Sequence, residues 1–196
     1  MKAVLKASLS AVFLCFALPL AVLSGFGRSR SIFLFGAHLV SLIPGLPGDY
    51  TRTAYYRLSL RSCAKHCRIS FGAFFANPDA IVEDGVYIGP YCVIGRAHIG
   101  RGSQLATQVQ ILSGARQHAR DASGRISGSE EGVFERISVG ADCWIGAAAI
   151  VMADVGEKST VGAGAIVTKP IPAGVVAVGN PARVIKSAQP DEVCPQ

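Results

Sequence analysis

The sequence predicts an all-β fold, a parallel β-helix of six-residue repeats, preceded by an N-terminal helical, membrane-associated segment. Three observations carry this expectation. A six-residue period headed by an aliphatic residue runs from Val82 to Ile166, with one long break. Glycine, 22 of 196 residues, punctuates that period without forming a Gly-X-Y run. The first third of the chain is basic and contains two long uncharged stretches. Disorder is excluded, because it needs low hydrophobicity and high charge, whereas this chain is 50% hydrophobic and 16% charged. Six cysteines are too few for a disulfide scaffold of this length.

Residues 1–72 form the first expected unit. They carry nine Lys/Arg against Asp49 alone, a formal +8, whereas residues 73–196 carry ten basic and twelve acidic groups. Ala7–Gly27 contains no charge, and roughly 20 apolar residues suffice to cross a bilayer core. After Arg28 and Arg30, residues 31–48 are again uncharged but contain Pro44 and Pro47. They read as a broken or interfacial helix. Arg52, Arg57, Arg61, Lys65 and Arg68 follow, a pattern suited to anionic headgroups. The expectation is an uncleaved anchor that meets a membrane surface through residues 7–48. A cleaved signal peptide competes with it, but no good small-x-small cleavage site precedes Arg28 and apolar character resumes at Ile32. Basic residues flank the first stretch on both sides, so charge gives no orientation. A nucleic-acid partner is not expected, because the basic excess is tied to apolar segments rather than to aromatic platforms.

Residues 73–186 form the second unit, and 187–196 a short tail. The sixes are VEDGVY (82–87), IGPYCV (88–93), IGRGSQ (99–104), LATQVQ (105–110), VGADCW (139–144), IGAAAI (145–150), VGEKST (155–160) and VGAGAI (161–166). IGRAH (94–98) and VMAD (151–154) are shortened units, expected to tighten corners. Position one is Ile, Val or Leu, and position five is small or slim: Val86, Cys92, Ser103, Val109, Cys143, Ala149, Ser159 and Ala165. A helix needs apolar residues every three to four positions, and an alternating sandwich holds no period of six. One bulky and one small inward residue per six fits short flat strands stacked in a coil. About four three-sided coils are expected, roughly 19 Å of strands stacked ~4.8 Å apart. Glycine at position two is expected to supply a permissive corner angle. Cys92 and Cys143 should point inward as small hydrophobes.

The stretch CWIGAAAIVMADVGEKSTVGAGAIVTKPIPAGVVAVGNPARVIK (143–186) resembles the end of the hexapeptide-repeat acyltransferases, whose coil is left-handed. LIPGLPGDYTRTAYYRLSLRSCAKHCRISFGAFF (42–75) is similar to the preface of membrane-associated O-acetyltransferases of capsule and exopolysaccharide biosynthesis. The resemblance implies a left-handed β-helix and acetyl-CoA as co-substrate. It also implies a homotrimer, to which the narrow core and exposed faces point as well. The acceptor it implies is a sugar hydroxyl of a surface or lipid-linked polysaccharide. Reduced thiols and the need for acetyl-CoA place the catalytic domain on the cytoplasmic side of an inner membrane. A serine O-acetyltransferase-like enzyme and a non-catalytic, membrane-attached scaffold remain as alternatives.

Acetyl transfer to a hydroxyl needs a base, donors for the oxyanion and a groove for the donor. His118 is the candidate base. It lies in the excursion 113–136, the one long break in the repeat, and loops on rigid scaffolds carry function. The resemblance agrees, placing a catalytic histidine some two dozen residues before the Trp-Ile-Gly. Asp121 is the candidate to orient it, with Glu130, Glu131, Glu135 or a carbonyl as alternatives. Gln117 reads as a solvated loop amide. The resemblance further implies donor contacts at Trp144, Ala147, Ala163, Thr168, Lys169 and Arg183, with Lys186 a weaker addition. No metal is expected: Cys63, His66 and Cys67 have zinc-like residue types but no second cluster. His98 has at most a substrate-side role, and His38 and His66 read as structural.

Overall fold

A computed structural model of the chain describes residues 2–114, 118, 120, 123–126 and 134–187, with side chains from residue 12 onward. Three helices come first: α1 (Lys2–Leu23), α2 (Arg30–Ser41) and α3 (Gly45–Ser59). The coil then winds through β1 (Ser62–Cys63), β2 (Arg68–Ile69) and β3 (Phe74–Phe75). It continues through β4 (Ile81–Val82), β5 (Tyr87–Ile88) and β6 (Val93–Ile94). The third turn is β7 (Ala97–Ile99), β8 (Gln104–Leu105) and β9 (Gln110–Ile111). The fourth is β10 (Ile137–Val139), β11 (Trp144–Ile145) and β12 (Ile150–Val151), and β13 (Thr160–Val161) and β14 (Ile166–Val167) complete a fifth. The end is an antiparallel pair, β15 (Val175–Val178) with β16 (Arg183–Ser187).

Every third strand stacks in parallel on the last. One face is β1-β4-β7-β10, a second runs from β2 to β16, and a third is β3-β6-β9-β12-β14. We call these faces A, B and C in the order in which the chain visits them. The parallel β-helix is therefore as expected, with one more coil than expected. The first coil starts at Ser62, inside the segment read as preface.

The inward positions close the core. Ile88, Ile94, Ile99, Leu105, Ile145 and Val161 at position one are fully buried, and so are Cys92, Ser103, Val109, Ala149 and Ala165 at position five. The glycine expectation needs a different physical reason. The left-handed backbone falls at position four, at Gly85, Tyr91, Gly102, Gln108, Asp142, Ala148, Lys158 and Gly164, with φ between 55° and 74°. At position two the constraint is close approach. A Cβ on Gly146 would run into the Gly162–Ala163 backbone one coil above, and one on Gly89 would lie 2.7 Å from the Ala106 carbonyl carbon.

The membrane-associated N-terminal segment is corrected. Among the described residues, no helix is long and apolar enough to cross a membrane. The uncharged stretch is broken at Ser24–Ser29, where Gly25, Phe26 and Gly27 take positive φ, and α2 has only 12 residues. Some of the apolar side chains expected to meet lipid pack within the chain, while others, Phe16 and Phe35 among them, are exposed. Phe13 stacks on Tyr50 at 5.6 Å, Phe33 packs against Tyr55 and Tyr56, and Ala17, Ala21 and Phe33 are fully buried. Basic residues expected to face headgroups are paired: Arg52 and Arg68 with Asp49, and Arg61 with Asp79. The membrane partner at residues 7–48 and the membrane-associated, cytoplasm-facing location fall with this expectation. The homotrimer is corrected too. It rested on the resemblance and on a narrow core with exposed faces, whereas one chain buries all those inward positions and covers its first coil with α2 and α3.

Arg52 is the pin between helices and coil. Its side chain is 0% exposed. Its Nε donates to the Ile69 carbonyl at 2.8 Å, its Nη1 to those of Ile43 at 2.7 Å and Val40 at 3.2 Å, and its Nη2 to Asp49 at 2.7 Å. Burial lowers its pKa, an effect opposed by Asp49.

Candidate active site

The excursion leaves face C after β9 and re-enters on face A at β10, so it projects from the C–A corner. Its two roots are tied together. Glu135 N–H donates to the Ser113 carbonyl at 3.0 Å. The Arg96 N–H donates to Ser113 Oγ at 2.8 Å and its guanidinium donates to the Phe134 carbonyl at 3.1 Å. Arg96 is held in turn by Asp79, at 2.7 Å from Nε. Asp79 also pairs with Arg61 at 3.0 Å and Arg136 at 2.6 Å. Partial burial raises the Asp79 pKa, but these guanidiniums overcome it and hold the carboxyl below its usual range. Four successive coils are thus cross-braced at the corner that carries the excursion.

His118 is exposed on the excursion. Just beyond it, Arg120 bridges Ile126 in antiparallel fashion and donates to the Gly124 carbonyl at 2.6 Å. Asp121, Glu130, Glu131 and Gln117 lie outside the described residues. Ser113, the nearest hydroxyl to the excursion's root, is buried and engaged with Arg96.

Trp144 begins β11 on face B, with 58% of its surface exposed. Ala147 and Ala163 are exposed and lie one above the other at the B–C corner, where the Gly164 N–H donates to the Ala147 carbonyl at 2.8 Å. Thr168 and Lys169 are exposed and follow β14, at the C–A corner that also carries the excursion, two coils further along. Arg183 is exposed on β16. The structure therefore groups Trp144, Ala147 and Ala163 on one edge of face C. Thr168, Lys169 and the root of the His118 excursion share its other edge. Arg183 belongs to neither edge.

One pair was missed. His98 Nε2 lies 2.7 Å from Glu83 Oε1, and Glu83 Oε2 accepts the Arg101 N–H at 3.0 Å. The His98 contact, aided by that N–H, pulls the Glu83 carboxyl below its usual range. The signal was spacing. Glu83–Arg101, Asp79–Arg96 and Arg61–Asp79 are separated by 18, 17 and 18 residues, one turn of the coil. His38 packs edge-on against Phe74 at 4.7 Å, and His66 is exposed.

A family model described as the hexapeptide repeat of succinyl-transferase matches residues 136–169. The chain is a hexapeptide-repeat β-helix. A Schizosaccharomyces pombe protein named as a candidate acetyltransferase is 40% identical over 124 residues, which are 62% of this chain and 54% of that protein. A serine acetyltransferase of Mycobacterium tuberculosis is 32% identical over 135 residues, 68% of this chain and 54% of that protein. The chain thus spans about half the length of the curated relatives it matches. Among solved structures, a maltose O-acetyltransferase from Clostridium difficile aligns with TM-score 0.61 at 23% identity, over 84% of this chain and 88% of that one. A galactoside acetyltransferase in complex with coenzyme A aligns with TM-score 0.61 at 19% identity, over 85% and 82%. These two alignments show the fold. Both of these curated relatives carry acetyltransferase names.

Proposed function

We propose that this hexapeptide-repeat protein transfers an acetyl group from acetyl-CoA to a sugar hydroxyl of a glycan acceptor. The observation that carries the reading is the braced excursion: a rigid coil, interrupted once, presents an exposed histidine at a corner shared with Thr168 and Lys169. An imidazole can both accept a proton and give it back. His118 accepts the acceptor hydroxyl's proton as its oxygen bonds to the acyl carbon, and gives it to the departing sulfur as the C–S bond breaks. Asp121 orients the imidazole. The exposed alanines Ala147 and Ala163 leave backbone within reach of a pantetheine arm, and Lys169 and Arg183 supply cations for phosphates, so the residues present fit coenzyme A. Bound acetyl-CoA supplies the electrophilic thioester. The solved maltose and galactoside acetyltransferases favour a sugar acceptor.

The relative named serine acetyltransferase favours a second reading, transfer to serine. Transfer of labelled acetyl from acetyl-CoA to a panel of mono- and oligosaccharides and to serine separates the two. Sugar labelling that falls by about 10²–10⁴ in His118→Ala, with coenzyme A binding retained, is the expected result. Serine labelling alone would replace the acceptor. No labelling and no coenzyme A binding would leave a non-catalytic coil.

A further inference from the structure

The first six of the coil is CAKHCR (63–68). Cys63 stands at position one, where the later units place Ile, Val or Leu, and Cys67 stands at position five. These are the two positions that point inward and meet inside each unit. The structure shows the consequence: Cys63 Sγ and Cys67 Sγ lie 3.5 Å apart. We propose that Cys63 and Cys67 form a site of reversible oxidation, closing to an intramolecular disulfide on reaction with a low-molecular-weight disulfide.

The fold creates this site at one level only. Cys92 and Cys143 also occupy position five, but each faces an aliphatic position-one residue, Ile88 or Val139, and is fully or almost fully buried. Burial pushes the Cys92 thiol up to about 11 and raises that of Cys143 as well. Buried thiols held neutral are inert. The first unit sits at the end of the stack, on edge strand β1 beside α3, and both of its thiols are only partly buried.

The two sulfurs are unequal. The contact with Cys63 lowers the Cys67 pKa against the opposing effect of burial, and Arg57 nearby adds to this. The same contact, with burial, raises that of Cys63. Cys67 is therefore the attacking thiolate and Cys63 the resolving thiol. Cys67 Sγ attacks one sulfur of the small disulfide and expels one thiolate. Cys63 then loses its proton, attacks Cys67 Sγ and expels the second. Two protein thiols are oxidised, the small disulfide is reduced to two thiols, and the two protons end on those thiols. The sulfurs must close to about 2.0 Å, within a single five-residue turn. The side chains start 3.5 Å apart on neighbouring inward positions of one unit. This inference does not depend on the proposed transfer activity.

The test exploits Lys65, which lies between the cysteines. The full-length protein is equilibrated with oxidised glutathione, free thiols are blocked by alkylation in denaturant, and trypsin is added without reductant. Residues 62–65 and 66–68 are then separate peptides unless a bridge joins them. The expected result is one joined species, split by dithiothreitol, with Cys92 and Cys143 alkylated. Cys63→Ser should retain glutathione on Cys67, while Cys67→Ser should leave Cys63 free. Separate peptides from the wild-type protein, whether Cys67 carries glutathione or is alkylated, would overturn the site. Glutathione on Cys63 in Cys67→Ser at a rate equal to that on Cys67 in Cys63→Ser would overturn the assigned order of attack.

Discussion

Arg52→Ala removes a fully buried cation that ties α2, α3 and the first coil together. Four short bonds disappear: those to the Ile69, Ile43 and Val40 carbonyls and the pair with Asp49. Losing one partner of a buried ion pair costs about 3–5 kcal/mol. Two features hold the figure near the middle. Asp49 keeps Arg68 at 2.9 Å, and the Val40 carbonyl keeps the Ile43 N–H at 3.4 Å. The expected loss is about 4 kcal/mol, which lowers Tm by roughly 8–16 °C for a chain of this size. Arg68→Ala serves as the contrast. Its side chain is 61% exposed, and exposed pairs contribute ~0–1 kcal/mol. Urea unfolding followed by circular dichroism gives both values, and Arg52→Lys should fall between them, since a lysine keeps the charge but cannot reproduce the fork. Arg52→Ala within about 1 kcal/mol of the wild type would refute the pin, and with it the account of why basic residues crowd this segment.

Three further outcomes are expected. Gly146→Ala should cost about 3 kcal/mol by forcing a methyl into the backbone of the next coil. Gly164→Ala, with φ +67 but open space around it, should cost only about 1 kcal/mol, and equal losses in chemical denaturation would contradict the close-approach argument. The Asp79 carboxyl titrates lower in the folded chain than when unfolded, so its contribution is present above the ordinary carboxylate pKa and is lost as pH falls through the lowered value. The Tm gap between wild type and Asp79→Asn should accordingly be widest near neutral pH and close below about pH 4; a gap that does not change with pH would remove the arginine brace as its cause. Trp144 is the sole tryptophan, so coenzyme A should shift its emission, and binding seen by calorimetry without an emission change would take Trp144 out of the site.

The coil was legible because its signal is repeated: an error in one unit is corrected by the next, and the inward positions came out buried in phase. The first coil was not, because Cys63 and Arg68 replace the usual aliphatic and neutral residues, leaving only Ile69, Gly72 and Ala73 to mark the six. The N-terminal segment misled for a related reason. An uncharged run states that side chains leave water, not what they meet, and here α1 and α2 meet α3 and the coil. Arg52 looked like a surface charge because composition does not reveal the carbonyls that a helix end and a coil edge turn toward it. The His98–Glu83 pair and the Asp79 brace could have been found by counting one coil ahead rather than along the local chain. Glycine was placed correctly but for the wrong reason, since the left-handed angle moved to position four, where Tyr91, Gln108, Asp142, Ala148 and Lys158 tolerate it.

The geometry also divides labour among the proposed site residues. Trp144 precedes the B–C corner, whereas the His118 excursion and Thr168–Lys169 hang from the C–A corner. Face C lies between them. Its outward ladder is Phe74, Val93, Gln110, Ile150 and Ile166, apolar except for Gln110. A donor that touched both Ala147 and Lys169 would cross that apolar face, which suits the methylene-rich arm of coenzyme A better than its phosphates. Trp144 and His118 would then meet different parts of one bound molecule. On this reading Trp144 holds the body of the donor and takes no part at the acyl carbon, so its removal weakens binding, whereas removing His118 slows the transfer itself. That split between affinity and rate would follow from Trp144 lying before the B–C corner while the His118 excursion leaves the coil at the C–A corner.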